Sequence, residues 1–448
     1  MCRRLHLTAS LRGNPELGSP PEGGTTEGAA DTPSRPNVTT REELTRSGLT
    51  LLVVFKETAL RSDLELAMLE LEGLGFKKAS PSSAIHKALD SETAGARAWV
   101  TGDPKALRLL MLRSAFVREA ILPLGRETSQ LEPALASTGL MRVVNEPVPH
   151  VRLVPLSVLL EATEAVASAA NSVAEVEKLA SKAIAFIVRR GKAPEKLKRA
   201  LSRPRFNNYA SHSLHYYKAR FFPRLFRAVA NYCLGSAGRK LLDPFVGSGT
   251  ALVESYLMGL EAVGVDVDPL CAFMGRVKVD VLEWDLRKVR SAIRAYESIR
   301  RKLRGWRHRR LAPQDSLLRY IAASAPNCPS PARRAALPPY VAKKLSPALV
   351  EEIEEECARI LSVIEELDGD LRDFFRLALS DAMARKLRFR FHGLGVGRFA
   401  LEVSKRSLTE LFLTGALNSL KALYAYALVV SELGLKSLFA TSLSLIHI

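Results

Sequence analysis

The chain has 448 residues, 47% of them hydrophobic, which is enough for two or three domains with buried cores. It carries 65 lysine and arginine residues against 47 aspartate and glutamate residues, a formal net charge of +18. This excess favours DNA or RNA as a partner over a small neutral substrate, although a basic surface that only keeps the protein soluble would give the same charge.

The cysteine pattern and the hydropathy indicate the compartment. The five cysteines form no C-x-x-C pair, so the sequence predicts neither a disulfide framework nor a metal site. Inspection of the sequence finds no apolar run of the roughly 18 residues that a membrane span needs. The N-terminus lacks the apolar core of a signal peptide. We therefore expect a cytoplasmic protein.

The first predicted elements follow a polar segment. Residues 1–46 are rich in glycine, proline, serine and threonine, which predicts a disordered tail; a translation start placed too far upstream would look the same. After it, LTLLVVF reads as a strand and SDLELAMLELEGLGF as an amphipathic helix. With the later stretches ARAWVTGD and MRVVNE, these elements predict a small α+β domain over residues 47–155.

The remaining chain divides by its patterns into four parts. A helical linker is predicted over residues 156–202, and a strand-turn-helix-strand pattern over 203–281. Residues 282–434 read as a large helical insertion. The last part, 435–448, begins with a third predicted strand at 436–441, within KSLFATS, and ends in SLSLIHI, which does not resemble the end of a domain.

The stretch LLDPFVGSGTALVES, residues 241–255, carries the chemistry. A strand ends at Asp243, a glycine turn follows, and a second strand ends at Asp266, 23 residues later, as in the first β-α-β unit of a doubly wound sheet. The turn does not match G-x-G-x-x-G. Asp-Pro-Phe stands where a dinucleotide fold presents glycine to phosphate, and an acid there suits a cationic amino-acid group better. The ligand so described is S-adenosyl-L-methionine.

DPFVGSGT followed by VGVDVDP closely resembles the first two motifs of class I S-adenosylmethionine-dependent methyltransferases that act on exocyclic amino groups of nucleic-acid bases. The resemblance implies an α/β fold with a partial Rossmann-like core, and it implies that Asp266 binds the ribose. Asp268 is a second candidate, although an acid before Pro269 also suits a helix N-terminus. The residues implied around the methionine end of the cofactor are Asp243, Pro244, Phe245, Gly247, Ser248, Gly249 and Thr250.

Upstream, SHSLHYYKARFFPRLFRAV resembles the H-x-Y-x-x-K-F-x-P element that closes over the cofactor in many DNA amino-methyltransferases. The resemblance implies that Lys218, Phe222 and Pro223 contribute to the cofactor site. The alternative is an amphipathic helix that packs its aromatic residues on the sheet edge, with His212 and His215 as polar residues at its start.

The catalytic motif of that family, (Asp, Asn or Ser)-Pro-Pro-aromatic, does not occur in the sequence. Its side-chain oxygen accepts the target amino hydrogens while the aromatic ring stacks on the extruded base. The similar stretch Leu337-Pro338-Pro339-Tyr340 begins with a leucine, which offers no acceptor, and we interpret it as a turn before a helix at 347. No catalytic residue is therefore predicted, and we expect an inactive N-terminal part of a methyltransferase, cut before the catalytic strand.

Two basic stretches in the predicted insertion are candidates for contact with nucleic acid. The first, IRRKLRGWRHRR, could equally be a solvated helix face. The second, RKLRFRFHGLGVGRF at 385–399, is predicted as a loop. The candidate residues in the first stretch are Arg300, Arg301, Lys302, Arg304, Trp306, Arg307, Arg309 and Arg310.

The leading hypothesis is a methyltransferase of nucleic acid, with DNA at cytosine N4 or adenine N6 favoured by the Gly-Ser-Gly-Thr and His-Tyr-Lys-Phe-Pro elements. Methylation of tRNA guanosine N2 stays open, because the N-terminal domain resembles the small RNA-binding domains of the tRNA enzymes. A non-catalytic nucleic-acid-binding protein that retains the cofactor fold is the rival of another class. A metabolite methyltransferase or an oxidoreductase is disfavoured by the net charge.

Overall fold

The protein is mixed α/β, as the sequence predicts, with strands gathered in a six-stranded, a three-stranded and a two-stranded sheet within its described part. The predicted disordered tail, 1–46, lies outside the described residues. A computed structural model of the chain describes residues 49–56, 61–124, 140–145, 148–189, 191–201, 207–218, 220–235, 239–310, 336–392, 398–439 and 443–447.

The first half of the described chain builds an antiparallel sheet in the order β2-β3-β1-β4-β6-β5. Its first four strands, with α1 and α3, follow the β-α-β-β-α-β succession of a split β-α-β unit. The elements are β1 (Leu49–Phe55), α1 (Arg61–Gly73), β2 (Phe76–Lys78), α2 (Ala84–Glu92), β3 (Arg97–Gly102), α3 (Pro104–Arg113), β4 (Val117–Pro123), β5 (Met141–Val144) and β6 (His150–Leu153).

Both faces of the central strand β1 are covered, which explains its continuous apolar run. Leu51 and Val53 belong to the main core, whereas Leu52 and Val54 pack in a smaller cluster with Leu89 of α2. Successive side chains of a strand point to opposite faces, so a strand buried on both sides needs apolar residues throughout.

The second half is largely helical around a small parallel sheet. The helices are α4 (Leu156–Ala169), α5 (Val173–Arg189), α6 (Glu195–Leu201), α7 (Pro223–Leu234), α8 (Thr250–Leu257), α9 (Pro269–Asp280), α10 (Leu286–Arg310), α11 (Pro339–Ala342), α12 (Pro347–Ile364), α13 (Gly369–Lys386) and α14 (Leu408–Glu432). The strands are β7 (Lys240–Asp243), β8 (Glu261–Asp266), β9 (Leu387–His392), β10 (Arg398–Val403) and β11 (Leu443–His447).

The parallel sheet has the order β11-β8-β7, and its third strand is not where the sequence predicts it. The strand predicted at 436–441 is wrong at its start, because Leu435–Leu438 form a 3₁₀ turn after Gly434, which has a φ of 63°, and residues 440–442 lie outside the described part of the chain. Phe439 is buried, with its ring near those of Tyr256 and Tyr426. The strand follows at Leu443–His447, within SLSLIHI, and pairs in parallel with β8.

The second basic stretch of the predicted insertion contains two strands, β9 and β10, where the sequence predicts a loop, and its residues 393–397 lie outside the described part of the chain. Strands β9 and β10 pair antiparallel, from Val403 opposite Leu387 to Arg398 opposite His392. The alternation of apolar and basic residues in LRFRFH has a period of two, which favours a strand over a helix. Lys386, at the end of α13, closes the base of the pair by donating to the carbonyl oxygens of Ser404 (2.9 Å) and Arg406 (2.8 Å).

Helix α14 is the central helix of this half and contacts α4, α5, α10, α12 and α13. It is long and apolar enough to cross a membrane by length and composition, but 72% of its most apolar window is buried inside the protein. A core helix passes the same test, and the packing of α14 is that of a core helix.

Helix α7 connects the antiparallel sheet unit to the parallel sheet through a row of polar side chains. Asn231 Nδ2 donates to Glu70 Oε1 of α1 at 2.8 Å. Arg224 donates to both carboxylate oxygens of Glu161 on α4, each at 2.8 Å. Arg227 donates to Glu254 of α8. These six side chains are buried. Helix α7 is therefore joined to α1, α4 and α8 by hydrogen bonds that lie away from solvent.

Candidate functional site

The glycine turn between β7 and α8 depends on left-handed backbone. Gly247 has a φ of 48° and Gly249 a φ of 76°, a region in which residues with a Cβ are strained. A Cβ built on Gly249 would lie 2.9 Å from the Cα of Gly275 in α9. The turn therefore rests directly on the backbone of α9, and the second glycine is required by both its φ and this close approach.

Asp266 braces the turn from the end of β8. Its Oδ2 accepts a hydrogen bond from Gly247 N at 2.7 Å, and its Oδ1 accepts one from Asp268 N at 2.9 Å. Asp268 caps helix α9 by accepting from Leu270 N at 2.8 Å, which matches the helix-terminus alternative for that acid.

Asp243 ends the neighbouring strand and lies near Asp266. Its Oδ1 accepts from Phe245 N at 3.1 Å. Burial raises the pKa of Asp243, and the charge of Asp266 raises it further. Phe245 leaves 85% of its surface exposed, and Pro244 is exposed as well. Two carboxylates that repel each other at adjacent strand ends, beside an open apolar ring, suit a ligand with a cationic group.

Ser248 and Thr250 face inward and not toward solvent. Their hydroxyl oxygens lie 2.9 Å apart, and Thr250 Oγ1 lies 3.4 Å from the carbonyl oxygen of Phe221. Both side chains are buried. The contact of Thr250 thus joins the turn to the 207–223 segment, which carries the H-x-Y-x-x-K-F-x-P resemblance.

Lys278 is a site residue that the sequence reasoning missed. This fully buried side chain of α9 donates from Nζ to the carbonyl oxygen of Ser248 at 2.8 Å. Burial lowers its pKa to about 7, and the charge of Arg220 contributes. Only its spacing could have indicated burial in the sequence. Lys278 lies three residues after Gly275 and four after Met274, so it shares their face of α9.

We expect the stability effect of Lys278→Met to depend on pH. The folded pKa of about 7 lies below the ordinary value of 10.5, so between these values the unfolded chain binds more protons. The stability of the wild type should therefore rise relative to the variant as the pH rises from 7 to 10. Urea unfolding across this range measures the difference. Lys240→Met, at an 85% exposed side chain, is the control. If the difference in free energy of unfolding between the wild type and Lys278→Met did not change with pH, the lowered pKa of Lys278 would be wrong.

The 207–223 segment is anchored by a buried carboxylate that the sequence also gave no reason to select. Glu254 Oε1 accepts from Tyr209 Oη at 2.7 Å and lies 2.6 Å from His212 Nε2. Burial raises the pKa of Glu254, but the charge of Arg227 and the hydrogen bond from His212 outweigh it and lower the pKa to about 2. Glu254 is one turn into α8, so this network ties the helix after the glycine turn to the segment.

A cleft of about 420 Å³ opens along the 207–223 segment. Phe222 and Pro223, two of the residues implied for the cofactor site, line it. Lys218, the third, is exposed and does not belong to its lining among the described residues. Tyr217 lies between the cleft and the turn, since a Cβ built on Gly247 would lie 3.5 Å from its ring. The cleft and the turn are therefore neighbours.

Helix α13, which lies in the predicted insertion, reaches this cleft. Asp381 Oδ1 accepts from Tyr216 N at 2.6 Å, and Ser380 Oγ lies 3.0 Å from His215 Nε2. Arg385 lines the cleft and pairs with Asp381. His215 is thus a buried side chain held by α13.

The predicted nucleic-acid residues on α10 are only in part described. Arg300 pairs with Glu297 at 3.0 Å, and Lys302 pairs with Glu366. Arg301 and Arg304 are exposed. The side chains of Trp306, Arg307, Arg309 and Arg310 lie outside the described part of the structure, although the helix backbone extends to Arg310.

The Pro-Pro-Tyr stretch lies before a helix, as predicted, and not at a strand end. Pro339 begins the short helix α11, and Tyr340 is 64% exposed. Leu337 N donates to Glu354 Oε1 of α12 at 2.7 Å, which fixes the turn to that helix.

Comparison with known proteins bears on this site. The chain is 32% identical over 82 residues to the type II methyltransferase M.MjaII of Methanocaldococcus jannaschii, which covers 18% of this chain and 15% of that protein. It is 38% identical over 69 residues to the tRNA (guanine(10)-N2)-dimethyltransferase of Methanothermobacter thermautotrophicus, covering 15% of this chain and 20% of that protein. The chain is similar to class I nucleic-acid methyltransferases.

That similarity confirms the resemblance inferred from the motif. A third relative, the type II methyltransferase M.MvaI of Kocuria varians, is 37% identical over 75 residues, 16% of each chain. The matches thus span a fifth or less of the length of these relatives. No profile of a known protein family matches the chain.

Proposed function

We propose that the chain binds S-adenosylmethionine as part of a methyltransferase that acts on an exocyclic amino group of a nucleic-acid base. The observation that carries the proposal is the pair Asp243 and Asp266 at neighbouring ends of parallel strands, on either side of a left-handed glycine turn. In this proposal β7, β8 and β11 belong to a Rossmann-like core, and the antiparallel sheet unit is the small N-terminal α+β domain.

The residues around the turn fit such a cofactor. Asp266 uses one lone pair of each carboxylate oxygen on Gly247 N and Asp268 N, and the remaining lone pairs are acceptors for ribose hydroxyls. Burial and, to a smaller extent, the charge of Asp266 raise the pKa of Asp243, and a cationic amino-acid group beside it would favour its ionised form. When bound, the cofactor supplies the methyl group, and the chain's own residues bind and orient it.

DNA is the proposed substrate, at cytosine N4 or adenine N6. The sequence of the glycine turn, Gly-Ser-Gly-Thr, and the upstream His-Tyr-Lys-Phe-Pro element favour it. tRNA guanosine N2 is the second candidate, favoured by the relative named for that reaction. The acceptor motif that would hold the target amine does not occur in this sequence. Cofactor binding is therefore the property to test, and a nucleic-acid-binding protein that retains the fold is the rival class.

Replacing Asp266 by asparagine tests the cofactor site. Asparagine keeps the size of the side chain and one acceptor for the turn but removes the charge, so we expect the affinity for S-adenosylhomocysteine to fall about tenfold or more. Isothermal calorimetry measures it. Asp90→Asn on α2 is the control, since Asp90 pairs with Arg97 on the antiparallel sheet unit. If Asp266→Asn and the wild type bound S-adenosylhomocysteine with equal affinity, Asp266 would not bind the ribose. If the wild type did not bind it at all, the proposed function would be wrong.

A further inference from the structure

The β9–β10 ribbon, the antiparallel pair of Leu387–His392 and Arg398–Val403, projects from the protein and takes no part in the proposed cofactor site. Within the described part of the chain its main contact is with α13, the helix that precedes it. Each strand has 6 residues. A strand rises about 3.4 Å per residue, so the ribbon is about 20 Å long. An isolated two-stranded pair is marginally stable in water at best, so a partner would order this one.

The two faces of the ribbon differ in chemistry. Leu387 packs against the helical core, whereas Phe389, the next residue on that face, is 38% exposed, so the ribbon extends past the edge of the body. Successive side chains of a strand point to opposite faces, and Arg388, between these two, is exposed. The register places the positions of Arg390 and Arg398 on the same outward face as Arg388.

The outward face is basic. Its paired positions are Arg388 with Glu402, Arg390 with Ala400, and Arg398 with His392. Three arginines thus share this face with one carboxylate. An excess of arginine favours a polyanion, and guanidinium groups bind phosphate oxygens through paired hydrogen bonds. The net charge of the whole chain, +18, has the same sign and would attract the same partner.

The ribbon leaves the body beside the proposed cofactor site. Arg385, in the last turn of α13, lines the cleft along the 207–223 segment, and Lys386 closes the base of the ribbon. One turn earlier in α13, Asp381 accepts a hydrogen bond from the backbone of Tyr216 at 2.6 Å. A polyanion held on the outward face would therefore lie next to the segment that borders the glycine turn.

We propose that the β9–β10 ribbon enters the major groove of double-stranded DNA and that the arginines of its outward face bind the phosphates beside the groove. The dimensions fit, because paired strands lie about 4.8 Å apart and the major groove of B-DNA, about 12 Å wide, admits a two-stranded ribbon. The major groove of double-stranded RNA is deep and narrow and excludes it. The inference rests on the proposed function for the class of partner, nucleic acid, and adds the form of that partner and the surface that binds it.

Fluorescence anisotropy with a labelled DNA duplex of mixed sequence, in a series of salt concentrations, tests this contact. Arg388→Gln and Arg390→Gln should each weaken binding of the duplex about tenfold. Each should also lower the slope of log K against log salt by about one, the value for one lost phosphate contact. The protein with both substitutions should lose about twice that slope. Arg388→Lys keeps the charge and should retain most of the affinity.

Arg287→Gln is the matched control, because it removes the same charge from a side chain that is 95% exposed. Lys288, the next residue, pairs with Asp370 in the first turn of α13, at 3.3 Å. Arg287 therefore lies at the other end of this 18-residue helix, about 27 Å from the ribbon. This variant should bind the DNA duplex almost as the wild type does.

An RNA duplex of the same length is the second probe, and the ribbon variants should bind it as the wild type does. If the ribbon variants bound the DNA duplex with wild-type affinity, or lost as much affinity for the RNA duplex, the inference would be wrong. Calorimetry should give the same affinity for S-adenosylhomocysteine in the wild type and the ribbon variants, which shows that these are folded. If the wild type bound DNA through the ribbon but not S-adenosylhomocysteine, the proposed function would fail and this inference would stand.

Discussion

Replacing Glu254 by glutamine is expected to lower the free energy of unfolding by about 3 kcal/mol or more, because it removes one partner of a buried ion pair. The Arg227 guanidinium is 0% exposed and would keep its charge without a carboxylate to balance it. Tyr209 and His212 would lose the charged acceptor that both share. Urea unfolding at pH 7 measures the loss.

Glu261→Gln is the matched control for this prediction. Glu261 pairs with Lys240 at 3.8 Å, and its side chain is 52% exposed. Surface ion pairs of this kind contribute about 1 kcal/mol or less, so the control should unfold almost as the wild type does. If the two substitutions had the same effect, Glu254 would not be the anchor of the 207–223 segment.

The free energies of unfolding of the wild type and of Glu254→Gln should change differently as the pH falls. The folded pKa of Glu254 is about 2, below the ordinary value of 4.5, so its ionised form stabilises the fold above pH 4.5. This contribution is lost as the pH falls from 4.5 toward 2, where the folded protein also takes up the proton. The stability difference between the wild type and Glu254→Gln should therefore shrink over that range.

The hydrogen-bond network of Glu254 extends to helix α3 of the antiparallel sheet unit. Arg227, its ion-pair partner, also donates from Nη1 to the carbonyl oxygen of Leu112 at the end of α3, at 3.3 Å. Arg113, the next residue, donates from Nε to the carbonyl oxygen of Met258 after α8, at 3.2 Å. The helix that follows the glycine turn is thus linked to the antiparallel sheet unit at two points, through Arg227 at Glu254 and directly at Met258. Removing that unit would leave Arg227 and the carbonyl oxygen of Met258 with one partner fewer each.

The elements that sequence could predict are those fixed by local rules. The run LTLLVVF is a strand because its residues are β-branched or apolar throughout, and it becomes β1. The acid-glycine turn is recognisable because left-handed backbone selects glycine at 247 and 249. The spacing of 23 residues from Asp243 is enough to select Asp266 as the acid that ends the second strand. These features need no knowledge of distant partners.

The features that sequence could not supply depend on partners far along the chain. Glu254 meets His212 42 residues upstream, and Lys278 meets Ser248 30 residues upstream. In isolation each is one charged residue in a helix, and nothing local marks it as buried. The displaced third strand has the same cause, since Phe439 leaves the predicted strand to pack against the rings of Tyr256 and Tyr426.

Replacing Gly249 by alanine is expected to lower the free energy of unfolding by about 2 to 4 kcal/mol, as the sum of two costs. Its φ of 76° is strained for a residue with a Cβ by about 1 kcal/mol. The added methyl group would also lie 2.9 Å from Gly275 Cα, and overpacking against backbone costs about 1 to 3 kcal/mol. Because the turn must move away from α9, binding of S-adenosylhomocysteine should fall below detection by calorimetry.

Gly434→Ala separates the two costs. Gly434 has a similar φ of 63°, but a Cβ built there meets nothing within 4 Å, so alanine at 434 carries the backbone strain without the clash. We expect it to lose about 1 kcal/mol and to keep its cofactor affinity. Equal losses for the two variants would mean that the turn does not press on α9. A folded Gly249→Ala protein that binds S-adenosylhomocysteine as the wild type does would show that this turn is not the cofactor site.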